Sequence, residues 1–395
     1  MSATIPARYR LEGVPPIGDY EYVQKYDPLP RCPESVYIPA AIRSVMEYLG
    51  QGLGCHKAGQ PGSTGEGDLA CGYAFLMGVS GAAFYTCWDV SWMEDCVSVI
   101  YMGHDFETTE RRCYGALGYS YEWITPRPGV DEKPEWLALI VKWLSERHTP
   151  VLSYGVIGPP EPSIVTGWDE GGEVLTGWSH FQHSPVFASG VEFEPDGQFR
   201  KRNWMEGNLN LLLIGEKKPR PDARQVYRDS LEWALQVCRT ARFFPEPDAP
   251  QWVAHKWNGL AALTAWGGSL LDDANFADAA DGVGAASLRQ HLDMHINIAA
   301  TLAEERAMAD VFLRQIAARE PAVAPELIQA GRLYREESDL AGAMQSTFGG
   351  VDTPEALRTF SDSGVRRALA GTLAELRAKE EQAVSLLEQA LAKWN

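Results

Sequence analysis

The 395-residue chain has no run of about 20 apolar residues, so no segment reads as a membrane span. It has no basic stripe either: 35 Lys and Arg stand against 53 Asp and Glu, a formal net charge of −18. Such a surface repels phosphate backbones and anionic headgroups, which argues against nucleic-acid and membrane partners. It also favours solubility. No CxxC pair occurs, so the spacing of common zinc sites is missing. No GxGxxG, P-loop or HExxH motif points to a nucleotide or to a standard zinc peptidase. His291 and His295 stand four apart in HLDMH, on one helix face, but without the Glu of that motif. Neither a metal nor a cofactor is expected. The opening MSATIPARYRLEGVPPIGDYEY has no apolar run after its positive charges, so it does not read as a signal peptide. Seven cysteines, an odd number in a long chain, argue against a complete disulfide framework. The expectation is a cytoplasmic protein with reduced thiols.

What the chain does have is apolar material for ordinary cores, 45% of its residues. It also has thirteen tryptophans, concentrated in its first two-thirds. Two compositions are visible. Up to about Gly215 the chain is rich in Gly, Pro, Tyr and Trp with short β-like runs. After about Pro221 it is rich in Ala, Leu, Glu and Arg at helical spacing. The stretch Glu216 to Asp222, EKKPRPD, reads as a linker. The domains expected are 1–216 and 223–395.

In the first part Ile38 to Leu49 reads as a helix. Pro39 suits its first turn, Ile42, Val45, Met46 and Leu49 form an apolar stripe, and Gly50 ends it. Gln51 to Asp68 holds six glycines in eighteen residues and reads as a flexible or ligand-wrapping loop. Leu137 to Leu144 reads as a second helix. Val151–Val156, Ser163–Trp168, Glu173–Trp178 and Leu209–Ile214 read as strands, with a tight hairpin at Asp169-Glu170-Gly171-Gly172. In the second part the apolar stripes run through Leu231 to Cys238, Leu292 to Arg306 and Val365 to Leu391. They are not sustained as heptads, so a bundle is expected.

The segment Val36 to Gly50, VYIPAAIRSVMEYLG, resembles the nucleophile helix of the C39-type, papain-like cysteine peptidases, in which Cys-Gly-Pro-Ala opens a helix ending in Tyr-x-Gly. Glu161 to Asp169, EPSIVTGWD, resembles their second signature, a histidine running into a Val-x-Gly-Tyr-Asp turn. The wider pattern, with Leu76 to Phe84 (LMGVSGAAF), is similar to the butirosin-biosynthesis-H-like family. That family joins such a domain to a C-terminal helical one. The resemblance implies an α+β fold: a papain-like N-terminal domain with an antiparallel sheet, then an all-α bundle. It also implies chemistry on amides or acyl-amines. The departures fall on the reaction centre: Tyr37 stands at the cysteine position, Glu161 at the histidine, and roughly Trp178 at the Asp or Asn.

A thiolate nucleophile needs a thiol and a base within reach. Cys71 could open a helix whose dipole favours its thiolate, or be a core cysteine. Cys55 is a candidate on the glycine-rich loop, or an incidental exposed residue beside His56. His180 or His183, after the third strand, could supply an imidazole, or both be loop residues. Glu161, held in the stiff GPPEP turn, could be an acid or base, or a simple turn residue. His104, beside Asp105, is another possible base. Trp88, Trp92 and Glu94, with Trp168 and Trp178, could line an aromatic substrate pocket with a polar anchor, or be core residues. Three readings follow. One is an amide hydrolase or acyltransferase with Cys71 or Cys55 as a relocated nucleophile, acting on a small molecule. The second is a non-peptidase that reuses the scaffold, with Tyr37 and Glu161 as a new polar pair in the old cleft, for non-catalytic binding or for acid–base chemistry without a covalent intermediate. The third is a partner-binding protein whose helical half pairs across a two-fold axis as a homodimer.

Overall fold

The computed structural model describes residues 5–17, 34–53, 71–130, 132–244, 253–276, 282–349 and 353–394, apart from the side chains of Glu94 and 282–285. The fold is α+β, a large antiparallel sheet and a helical C-terminal region. The chain divides into two units: Met1–Tyr73 with Cys113–Pro221, and Ala74–Arg112 with Asp222–Asn395.

The first unit is built on an eight-stranded sheet. Its strands are β1 (Tyr9–Arg10), β3 (Tyr119–Ile124), β4 (Val151–Tyr154), β5 (Pro162–Asp169), β6 (Val174–Trp178), β7 (Val191–Phe193), β8 (Phe199–Arg202) and β9 (Asn210–Lys217). The order is β3-β9-β4-β5-β6-β8-β7, every pair is antiparallel, and β1 adds to β5. The central strands β4, β5 and β6 are buried almost throughout, as β-branched and aromatic runs covered on both faces should be. The β5–β6 hairpin turns where the sequence places it. Glu170, Gly171 and Gly172 all have positive φ, and a Cβ on Gly172 would lie 2.3 Å from Leu137. Gly177 is required for a different reason: its Cβ would lie 1.9 Å from the Ile164 carbonyl, beside the bulge that shifts the β5–β6 register.

Helix α1 (Tyr37–Tyr48) packs on β5. Every residue from Ile38 to Met46 is buried, so α1 is a central helix rather than an amphipathic surface one. A buried helix with a single cation, Arg43, must neutralise that charge locally. Helix α4 (Lys133–Val141) opens on Pro134 and runs into a π-turn at Lys142–Glu146.

The second unit contains a short ribbon, β2 (Cys87–Asp89) with β10 (Lys256–Asn258), and the helices α5 (Ala223–Arg239), α6 (Gly259–Leu271), α7 (Gly282–Ala317), α8 (Ala324–Ser346), α9 (Pro354–Ser361) and α10 (Ser363–Lys393). Helix α2 (Gly72–Ser80) enters it and α3 (Thr108–Leu117) leaves it. The stripe on α10 is the buried face, with Leu369, Leu373, Leu376, Ala383 and Leu387 inside. Helix α8 packs against α7 and α10, and α10 against α6.

The LMGVSGAAF stretch lies here, and its glycines have steric reasons. A Cβ on Gly78 would stand 2.1 Å from the Phe312 ring, and Gly81 has φ +94°. Its end is tied down by Arg306, which donates to the carbonyls of Ala83 (3.0 Å) and Tyr85 (3.1 Å) and to Thr86 Oγ1 (2.5 Å). Arg306 is fully buried and ion-paired with Glu337 (3.2 Å) and Glu380 (2.8 Å). Burial holds the Glu337 carboxyl well above the usual range, with the neighbouring Glu380 adding to it.

Candidate functional site

Three segments of the first unit meet at the N-terminal tip of α1. The first is α1 itself. Its N-cap, Val36, has no side chain to accept from the helix, and its own amide donates to the Tyr73 hydroxyl at 3.0 Å. Tyr37 follows as the first helical residue and is half-buried. Two turns further in, Arg43 Nε donates to Glu34 Oε2 at 2.7 Å, and Nη1 pairs with Glu47, four residues on. Arg43 Nη2 is buried without a partner.

The second segment follows β6. Gln182 fixes it: Oε1 accepts from the Ser179 amide (2.9 Å) and Nε2 donates to the Gly197 carbonyl (2.8 Å). Between them His180 and Phe181 are set against Tyr37. The His180 ring stands edge-on to the Tyr37 ring at 5.0 Å between centroids, and Phe181 lies 4.9 Å away. Phe187, 40% exposed, extends the aromatic wall from Phe181 at 5.3 Å.

The third segment is the Pro-rich turn. Gly158 has φ +85° and a Cβ there would lie 2.8 Å from the Phe181 ring. The turn and the helix tip therefore both rest on one phenylalanine. Glu161 is 2% exposed. Its amide donates to the Pro159 carbonyl (2.6 Å) and its carbonyl accepts from Gly155 (3.3 Å), which fixes its backbone at the start of β5.

Part of His180 reaches the surface, but its Nε2 is buried with no hydrogen-bond partner. Burial lowers its pKa to about 3, and the nearby Arg43 charge adds to the effect. The imidazole is thus neutral at ordinary pH. It can donate or accept a hydrogen bond but is a weak base.

The other sequence candidates have different settings. Cys71 is 6% exposed and directly precedes α2. The next residue must be glycine, because a Cβ on Gly72 would lie 2.4 Å from the Leu53 carbonyl. Cys55 and the glycine-rich loop from 54 onwards lie outside the described residues, as does the side chain of Glu94. The indole of Trp168 donates to the Pro6 carbonyl (2.9 Å) and stacks on Tyr9, and that of Trp178 donates to the Val14 carbonyl (3.0 Å). Both indoles hold the N-terminal segment onto the sheet.

Trp88 and Trp92 belong to the second unit. Trp88 is fully buried, stacks on Trp266 at 5.0 Å and donates to Ser269 Oγ (2.9 Å). Trp92, with φ 60°, stacks on His291 at 4.2 Å. His295 Nδ1 accepts from the Trp266 indole at 3.1 Å, and burial lowers its pKa to about 3. His104 Nδ1 lies 2.7 Å from the Phe243 carbonyl, while Asp105 pairs with Arg111. Among the described residues no group of three His, Cys, Asp or Glu is placed to hold a metal ion. No helix among them is long and apolar enough to cross a membrane.

The structure thus brings Tyr37 and His180 together and sets the Glu161 turn against their neighbour Phe181. Sequence reading missed Arg43, Phe181 and Gln182. The signal for Arg43 was present: one cation in an otherwise apolar helix, with Glu47 four residues on and Glu34 nine before. No protein-family model matches this chain, and no curated protein does.

Proposed function

We propose that the first unit is a papain-like scaffold of the C39 type whose reaction centre is rebuilt for reversible, non-covalent binding of a small uncharged molecule. Tyr37, His180 and Phe181 would form the contact surface. The neutral His180 edge-on to Tyr37 carries this reading. An ordinary phenol titrates near 10, so moving its proton to an imidazole at about 3 is uphill by roughly 10 kcal/mol. That removes Tyr37 as a base-activated nucleophile. A phenol and a neutral imidazole suit a ligand that both donates and accepts hydrogen bonds, and the aromatic wall suits a planar one. Small amides and acyl-amines have both properties.

The test is saturation-transfer NMR with a panel of small aryl amides, followed by recovery of the ligand. The expected result is binding weakened about tenfold by Tyr37→Ala or His180→Leu, with the ligand recovered intact. A panel that binds both variants as well as the parent removes the reading.

A second reading, amide cleavage or acyl transfer, rests on Cys71 directly before α2, where a helix dipole favours a thiolate. Iodoacetamide labelling at pH 7 separates the two. One thiol reacting far faster than the rest, with turnover lost in Cys71→Ser, supports the enzyme. Uniformly slow thiols support the binding scaffold. Self-association of the helical half as a homodimer is a separate proposal, read by light scattering.

A further inference from the structure

The second unit carries an open groove of about 710 Å³, within the range of about 300–1,000 Å³ common for ligand sites. Helix α6 forms its floor. Leu260, Ala261, Thr264, Ala265 and Gly268 lie on one face of that helix and line the groove. They are small and apolar for the most part, and a Cβ on Gly268 would meet nothing within 4 Å. The thirteen residues of α6 span about 20 Å, so the floor is long and narrow. Trp257 forms a wall, held by the Arg242 guanidinium 4.2 Å from its ring.

The two ends differ in charge. The start of α6 abuts the end of α5, since a Cβ on Gly259 would lie 2.1 Å from the Cys238 carbonyl. That places Arg239, the last residue of α5, at this end. Helix α10 runs antiparallel to α6: Arg366 donates to the Leu270 carbonyl at 2.9 Å, and the Ala370 carbonyl lies 4.0 Å from a Cβ on Gly267. Arg377, two turns further along α10, therefore also faces the start of α6, and it lines the groove. Each guanidinium gives one nitrogen to one carboxylate, Glu388 and Glu381, and the side chains remain 51% and 44% exposed. Arg377 Nε is buried and has no partner. The far end is closed by Asp272 and Asn275. In a chain of net charge −18, this end of the trough carries two guanidiniums, each compensated by one glutamate.

We propose that this groove binds an elongated amphipathic carboxylate, such as a medium-chain fatty acid. Its head lies on Arg239 and Arg377, and its tail runs along the small-residue face of α6 toward Asp272. A guanidinium fork matches a carboxylate in planar geometry, and each arginine keeps N–H donors beyond the nitrogen given to its glutamate. The Asp272 charge disfavours the reversed orientation. The inference uses only residues of the second unit and does not depend on the reading of the Tyr37 site.

The experiment is calorimetric titration of the full chain with dodecanoate, below its micelle concentration, against dodecanol and inorganic phosphate as controls. Dodecanoate binds at one site, and dodecanol and phosphate each bind far more weakly. The double variant Arg239→Gln/Arg377→Gln weakens dodecanoate about tenfold or more. Ala265→Trp, which fills the open trough without touching the arginines, abolishes binding while circular dichroism stays unchanged. Equal affinity for dodecanol and dodecanoate, or unchanged affinity in both variants, overturns the proposal. So does failure of dodecanoate to bind; if Ala265→Trp then converts a dimer to a monomer, the groove is a self-association face instead.

Discussion

Putting a thiol back at the helix tip should not restore a peptidase dyad. In Tyr37→Cys the new thiol would need His180 to take its proton. An ordinary thiol titrates near 8.5 and this imidazole at about 3, so the transfer is uphill by roughly 7 kcal/mol. Two effects oppose that cost. The resulting ion pair, at about 4 Å and an effective dielectric constant of about 20, gains roughly 4 kcal/mol. The N-terminus of α1 adds about 1 kcal/mol for a thiolate. Arg43 contributes little more, because Glu34 and Glu47 already compensate it. The pair remains disfavoured by about 2 kcal/mol, a few per cent populated. With an ordinary imidazole at 6.5 the same sum would favour it by roughly the same margin. The assay is the rate of iodoacetamide alkylation of the peptide carrying position 37, followed by mass spectrometry from pH 4 to 10. The rate should rise as one step with a midpoint of about 8, the helix terminus lowering an ordinary thiol by about 0.7. A pH-independent plateau between 5 and 7 would mean that the thiolate–imidazolium pair forms, the opposite of what this sum predicts.

Three further perturbations test the surrounding structure. Arg306→Met leaves two buried carboxylates, Glu337 and Glu380, without their cation. It should cost about 3–5 kcal/mol in urea unfolding, whereas Arg306→Met combined with Glu337→Leu and Glu380→Leu should recover only the part due to the unpaired carboxylates, since the Ala83 and Tyr85 carbonyls still lack their donor. His295 is neutral when folded, with a pKa of about 3 against 6.5 unfolded. Stability should therefore be full above pH 6.5 and fall by about 1.4 kcal/mol per pH unit below it. His180 contributes a like slope, so His295→Gln should lower the acid slope by about 1.4 kcal/mol per pH unit without abolishing it, and an unchanged slope would contradict the assignment. Gly177→Ala drives a methyl to 1.9 Å from the Ile164 carbonyl, which as backbone cannot swing aside. It should destabilise by about 2 kcal/mol or more in a thermal melt.

The elements legible in the sequence were those with local causes. The apolar stripe and Pro39 give α1 within one residue at each end, and the double glycine gives the β5–β6 turn. The elements that were not legible depend on partners distant in the chain. The segment around Cys87 pairs with Lys256–Asn258, and Lys256 Nζ reaches Asp89 at 3.0 Å and Asp95 at 2.6 Å, contacts closed across more than 150 positions. The same holds for Trp88 and Trp92. Their cluster with Glu94 reads either as core or as a pocket wall when only neighbours are visible; the partners, Trp266 for Trp88 and His291 for Trp92, lie far along the chain. At the candidate site the resemblance set Tyr37 and Glu161 in one cleft and offered His180 as an imidazole there, without saying which chain segments bring them together. Their grouping required Gln182 and Phe181, whose role is to shape a loop and which carry no chemical signature of their own.

The most direct measurement is the NMR titration of the His180 ring carbons in the full chain, assigned with His180→Gln. The binding-site account requires the ring to stay neutral from pH 8 down to 5, with shifts that do not move over that range. A titration midpoint near 6.5 would show an ordinary, solvated imidazole able to serve Tyr37 as a base, and the account would fail.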